Sequence, residues 1–216
     1  MSDLPELVIF DCDGVLVDSE PIFNRVLYEY LCGCGAALSF VECCTLFTGK
    51  SARDVEQYLT DTGLSIPESW PKGFYDQALE ALSREVVAMK GALAVLHALG
   101  RAEVPFCVAS NGLMAKMEVT LARTAILPLV EGNMFSAYEI GQSKPAPDVF
   151  LHAAKVNGTA PDRCIVVEDS ASGFEAAAAA GMACYAFTPD DSGGPLFGAV
   201  PFRRMAELPE LLGLSD

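Results

Sequence analysis

Positive charge is scarce in this chain of 216 residues: 14 lysines and arginines stand against 29 aspartates and glutamates, a formal charge of −15. So acidic a surface is repelled by nucleic acid and by anionic membranes, and neither is expected as a partner. Histidine is scarcer still, with only His97 and His152. Cysteine does not supply a metal centre in their place. Cys12, Cys107 and Cys164 lie in or beside apolar runs, where a thiol serves as a small hydrophobe. Cys32-x-Cys34 and Cys43-Cys44 match no common zinc spacing, and the histidines are far from them in sequence. A reduced, cytoplasmic protein is the expectation. No apolar run reaches the ~20 residues that cross a bilayer, the acidic, proline-interrupted residues 1–6 do not read as a secretory leader, and no internal repeat is seen. What remains is 51% hydrophobic and 20% charged, ample for a buried core.

The first apolar run, Leu7-Val8-Ile9-Phe10, reads as a buried strand. From residue 19 the apolar spacing turns helical, with Ser19 placed to cap and Pro21 in the first turn. Helices are expected over 20–33, 41–47, 52–62 and 75–89, and no convincing strand falls between 19 and 88. Beyond Gly91, helices (92–100, 113–124, 147–157, 171–180, 205–212) alternate with strands (104–109, 133–136, 164–167, 184–187). That alternation predicts an α/β fold, a parallel sheet with helices on both faces. The chain is divided accordingly into a core of residues 1–15 and 90–216 and an inserted helical domain of residues 16–89.

Polar groups gather where the predicted strands end, the place where open α/β sheets bind ligands. Strand one runs into Asp11 and Asp13, with Gly14 after them. The strand at 104–109 ends in Ser110-Asn111-Gly112, and that at 164–167 in Glu168-Asp169-Ser170. The loop Ser143-Lys144-Pro145 contributes one lysine before a proline-started helix. Singly, each has an ordinary use: Asp-x-Asp-Gly as a turn, Ser110 as a helix cap, Lys144 as a solvated charge, Glu168 and Asp169 as surface carboxylates or caps. In this order, at these strand ends, they suit phosphoryl transfer. Clustered carboxylates resist ionising together unless a cation joins them, and an oxygen-ligated Mg2+ fits. Lysine, serine and metal would then neutralise a phosphate while one carboxylate attacks phosphorus and its neighbour handles the proton.

Asp11-Cys-Asp13-Gly-Val, Ser110-Asn-Gly, Lys144-Pro and Glu168-Asp169 together resemble the four motifs of the haloacid dehalogenase superfamily, in its subfamily with a helical cap inserted after the first motif. The nearest likeness is to the β-phosphoglucomutase-like group. That resemblance implies a Rossmann-like core with an inserted cap and a catalytic cycle through an aspartyl phosphate. It makes Asp11 the nucleophile and Asp13 the general acid and base. It assigns Mg2+ to Asp11, the Asp13 carbonyl and Asp169, with Glu168 close by. It gives phosphoryl binding to Ser110 and Asn111, and makes Lys144 the group that steadies nucleophile and phosphate. The presence of Asp13 separates the chain from the metal-free dehalogenases. A monomer acting on a small phosphate monoester is implied.

Hydrolysis is favoured over mutase chemistry because Phe23 stands where the mutases carry a cap histidine. In addition, Ala52 stands where their arginine follows the cap glycine, here Gly49. The run Val-Ala-Ser-Asn-Gly with Lys116-Met117, and the stretch at 135–138, are similar to sugar-acid phosphatases of the 6-phosphogluconate type. The alternatives are a phosphosugar mutase and a catalytically idle phosphometabolite-binding protein, although no motif residue is missing as the latter would require. Gly49-Lys50-Ser51 is not a nucleotide-binding loop: Cys44 occupies the place of the first glycine and no strand precedes it. In a cap loop, Lys50 would meet a distal anionic group of the substrate. Lys50→Ala should then raise KM for the true substrate far more than for a featureless aryl phosphate, and equal effects on the two would refute that role.

Overall fold

A computed structural model describes residues 4–48, 52–63, 67–189 and 195–214. The chain divides into two compact units, Met1–Asp18 with Val87–Asp216, and Ser19–Val86. In chain order, β1 (Leu7–Phe10) precedes α1 (Glu20–Gly33), α2 (Phe40–Phe47), α3 (Ala52–Asp61) and α4 (Trp70–Glu85). There follow α5 (Ala92–Arg101), β2 (Phe106–Ser110), α6 (Met114–Arg123), α7 (Leu127–Val130), β3 (Met134–Ser136), α8 (Ala137–Ile140) and α9 (Asp148–Val156). The chain closes with β4 (Cys164–Glu168), α10 (Ala171–Ala179), β5 (Ala183–Phe187), β6 (Val200–Phe202) and α11 (Leu208–Leu211).

The six strands form one sheet in the order β3-β2-β1-β4-β5-β6, and every pairing is parallel. This is the expected Rossmann-like α/β architecture. β1 lies at its centre, with Ile9 in register with Cys107 on one side and Val166 on the other. A strand flanked on both edges and covered on both faces must be apolar throughout, and Leu7 to Phe10 are all buried. One face packs Leu7, Ile9, Ala109 and Val166 against Val149, Phe150 and Ala153 of α9 and Phe174 and Ala177 of α10. The strand order reverses between β1 and β4, which opens a crevice beyond their carboxyl ends. The functional groups sit there.

The first loop belongs to this unit through Val17. Leu16 and Val17 N–H both donate to the Cys12 carbonyl (2.9 and 3.0 Å), and Val17 bridges to Asp13 and to Ala88. Asp18 N–H reaches the Val87 carbonyl and Met89 N–H the Leu16 carbonyl. The crossings therefore fall at 18/19 and 86/87, three residues inside the 16–89 span read from the sequence.

The unit Ser19–Val86 has its own core. Val26, Leu27 and Leu31 of α1 pack with Cys43, Phe47, Val55, Leu59, Trp70 and Phe74. The helix expected over 75–89 lies instead at Trp70–Glu85. Pro71 occupies its first turn, where a missing N–H costs nothing, and Val86 ends it in extended geometry (φ −60°, ψ 140°). Ser19 precedes α1 as expected, but its side chain does not accept from the first turn. Three short elements had no sequence signal: α7, α8 and β6. β6 contains Pro201, which an edge strand tolerates because one side of it has no ladder partner. The terminal helix expected over 205–212 breaks into a 3-10 turn, Met205–Glu207, before α11.

Candidate active site

Lys144 is the hub of the crevice. Its ammonium donates to Asp11 Oδ1 (2.6 Å) beyond β1, to Glu168 Oε1 (2.8 Å) at the end of β4, and to the Ala109 carbonyl (2.9 Å) in β2. All three donors of the group are thereby used, and the ammonium also lies 4.6 Å from the Phe150 ring centroid. Lysine side chains are almost never this buried unless paired, and here the side chain is 2% exposed. Burial works against its charge, but Asp11 and Glu168 outweigh burial and hold it above the ordinary lysine range. Two further hydrogen bonds fix its backbone: Lys144 N–H donates to Asn111 Oδ1 (2.8 Å), and Asn111 Nδ2 donates to the Lys144 carbonyl (3.4 Å).

Asp11 shows the opposite balance. Burial pushes its carboxyl up to about 7, against the pull of Lys144, and the charges of Glu168 and Asp13 add to the rise. Glu168 is 1% exposed with both oxygens engaged. Oε1 takes Lys144, while Oε2 accepts from Asp169 N–H (2.8 Å), Ser170 N–H (2.8 Å) and Ser170 Oγ (2.9 Å). Ser170 also caps α10 by accepting from Gly173 N–H. Asp169 lies against the turn after β1: Gly14 has φ +80°, and a Cβ there would fall on the Asp169 carboxylate. Only glycine meets both requirements.

At the end of β2, the buried Ser110 accepts from Gly112 N–H (2.9 Å), and the Gly112 carbonyl accepts from Ser136 Oγ (2.7 Å) at the end of β3. A Cβ at position 112 would stand 3.3 Å from Ser110 Oγ and 3.3 Å from Asp13 Oδ2. The other Asp13 oxygen, Oδ1, is held at 2.9 Å by Lys116 in the first turn of α6. Burial opposes the Lys116 charge too, and Asp13 outweighs it, raising the ammonium above its usual range. Cys12, between the two aspartates, is buried, and desolvation holds its thiol protonated.

The crevice thus gathers four carboxylates, Asp11, Asp13, Glu168 and Asp169, beside two ammonium groups, Lys116 and Lys144. Such an excess of oxygen donors matches the chemistry of a hard divalent cation, which takes one or two carboxylates and keeps several waters. No group of three or more His, Cys, Asp or Glu side chains at ligating distance occurs among the described residues.

The structure therefore brings Asp11, Asp13, Ser110, Asn111, Lys144, Glu168 and Asp169 to one sheet end. Phe23 belongs to the other unit, where its ring meets Phe74 edge-on (4.9 Å between centroids) and Tyr75 (6.0 Å). Gly49 and Lys50 lie outside the described residues. Lys116, Ser136 and Ser170 were not read as site residues. For Lys116 a signal existed, a lysine in the opening turn of the helix that follows the Ser110 strand end. Ser170 had one as well, its place in the strand end Glu168-Asp169-Ser170.

The haloacid dehalogenase-like hydrolase family model matches residues 5–181. The 6-phosphogluconate phosphatase of Escherichia coli (strain K12) is 31% identical over 95% of this chain and 94% of its own length. Hexitol phosphatase A of the same organism is 31% identical over 80% and 78%. A crystal structure of a haloacid dehalogenase family hydrolase from Deinococcus radiodurans R1, with bound phosphate and sodium, superposes with a TM-score of 0.80 at 31% identity, over 98% of both chains. The chain belongs to the haloacid dehalogenase-like hydrolases, as its ordered motifs implied. The expectation of a phosphoric monoester hydrolase agrees with the named activities of these relatives. No helix among the described residues is long and apolar enough to cross a membrane.

Proposed function

We propose that this protein is a Mg2+-dependent phosphatase that hydrolyses a small sugar or sugar-acid phosphate, such as 6-phosphogluconate, through an aspartyl phosphate on Asp11. One observation carries the reading: a buried lysine joins the aspartate after β1 to the carboxylate ending the neighbouring β4, with the buried Ser110 at the end of β2 on the other side of β1. The likeness to a 6-phosphogluconate phosphatase over nearly the whole of both chains supports the substrate class.

Lys144 takes Asp11 Oδ1, which leaves Oδ2 to attack phosphorus. The Asp11–phosphorus bond forms as the bond to the leaving alcohol breaks, and Asp13 gives that alcohol its proton. Ser110 Oγ, the Asn111 backbone and the Lys144 ammonium meet the charge on the transferring group. A water molecule, losing its proton to Asp13, then attacks phosphorus, and inorganic phosphate leaves Asp11. Asp11, the Asp13 carbonyl and Asp169 would hold Mg2+, which supplies charge neutralisation to the phosphoryl oxygens. With both oxygens of Glu168 already accepting, its part is to hold Lys144 and the loop at 169–170. Residues 19–86 would act as a cap that sets specificity, and cap opening would gate binding and release. The −15 charge supports a protein that binds neither nucleic acid nor an anionic membrane, and a cytoplasmic monomer is the expectation.

The test is phosphate release from a panel of phosphate monoesters, with and without Mg2+, beside Asp11→Asn. Metal-dependent release that the substitution abolishes, with a sugar phosphate preferred, is the expected result. Conversion of β-glucose 1-phosphate to glucose 6-phosphate without release would replace the reading with a mutase.

A further inference from the structure

Lys116 has no part in the motifs, yet it holds the residue assigned both proton transfers. It reaches Asp13 from α6, so the contact joins the first turn of that helix to the loop after β1. The contact is also specific to one oxygen. Oδ1 lies 2.9 Å from the ammonium, while Oδ2 faces the space above Gly112, which it shares with Ser110 Oγ. That space exists because residue 112 has no side chain: a Cβ would come within 3.3 Å of both oxygens. The side chains of Lys116 and Asp13 are only 13% and 22% exposed, so this pair is far less screened than a surface ion pair. The carbonyl of Lys116 in turn accepts from Thr120 Oγ1 (3.0 Å) one turn along α6.

We propose that Lys116 is a positioning residue: by binding Oδ1 it fixes the Asp13 carboxylate so that Oδ2 points at the group bound by Ser110. The inference rests on the phosphatase reading and adds to it a residue that selects which oxygen exchanges the proton. A carboxylate on a freely rotating χ1 spends little time in one productive direction, and small misplacements of a catalytic group cost rate steeply. Lys116 acts only through Asp13, and two consequences separate it from a merely structural lysine. Its loss must hurt esters that need a general acid and spare those that do not. It must also have no effect where Asp13 has already been disabled.

The experiment compares kcat/KM, which reports phosphoryl transfer to Asp11, for p-nitrophenyl phosphate and for an alkyl ester that the wild type turns over, 6-phosphogluconate first. Lys116→Met should lower the alkyl value about 10- to 100-fold, a share of the full effect of general acid catalysis, and change the aryl value less than about threefold. Lys116→Arg should restore most of the loss. In an Asp13→Asn background, Lys116→Met should have no further effect on the alkyl ester. Equal losses on both esters, or losses that multiply in the double variant, would overturn the assignment. Should Lys116→Met fold poorly, Lys116→Gln in the same comparison decides between these outcomes. A wild type inert toward every ester would remove the phosphatase reading itself, and the assignment with it.

Discussion

Lys144→Met should leave a folded but destabilised protein with at least about a thousandfold loss in phosphate release. The side chain of methionine fills the same channel, so packing changes little. What is lost is the group that touches Asp11, Glu168 and the Ala109 carbonyl together. Removing one partner of a buried pair leaves uncompensated charge and costs about 3–5 kcal/mol. The pH dependence has a definite sign. Lys144 is what pulls Asp11 down toward its place near 7; without it, Asp11 rises further above its unfolded value. A raised carboxyl in the folded state contributes stability at low pH that is lost as pH rises through the folded value. The stability deficit of the variant, measured by denaturant unfolding, should therefore widen as pH rises above about 7, where Asp11 ionises in the wild type but stays protonated in the variant. A deficit independent of pH would mean that the lysine is not holding ionised carboxylates.

Gly173→Ala is the second large effect, and it runs against helix propensity. Gly173 lies in the first turn of α10, where alanine should gain about 1 kcal/mol. A Cβ at that position would fall on the Glu168 carboxylate, so either the helix start or the glutamate must move. Moving Glu168 breaks its bonds to Lys144, Asp169 and Ser170. We expect a loss of more than about 3 kcal/mol, or a comparably stable protein with little activity because Lys144 has lost one anchor. Gly100→Ala in α5 is the control, since nothing lies within 4 Å of a Cβ there. That change should stabilise by up to about 1 kcal/mol. If both substitutions behave alike, the close approach of α10 to Glu168 is not the reason glycine stands at 173.

The parts of the fold that were legible in the sequence are those with a strong period or a strong neighbour. β1, β2 and β4 are continuous apolar runs, because sheet burial on both faces leaves no room for alternation, and a polar residue of the crevice ends or directly follows each: Asp11, Ser110 and Glu168. β6 was not legible: three residues, one of them Pro201, pair only with β5 and carry no period. α4 was misplaced because residues 86–89 continue its apolar character, although they return to the sheet unit through Ala88 and Met89. In the site, the order of the motifs gave Asp11, Asp13, Ser110, Lys144, Glu168 and Asp169. It could not give the Asn111–Lys144 exchange, nor Lys116 on Asp13, because both depend on how a loop or helix start is turned. Gly14, Gly112 and Gly173 carry no chemistry in a sequence reading. Each marks a place where a carboxylate or hydroxyl needs the space of a missing side chain.

The covalent role of Asp11 is tested most directly by quenching turnover of a phosphate ester with sodium borohydride, which reduces an aspartyl phosphate to homoserine, and sequencing the peptides by mass spectrometry. Homoserine at position 11, present only when ester and Mg2+ are both supplied and absent in Asp11→Asn, is the predicted result. Phosphate release with Asp11 unmodified, or with the modification at another carboxylate, would contradict it.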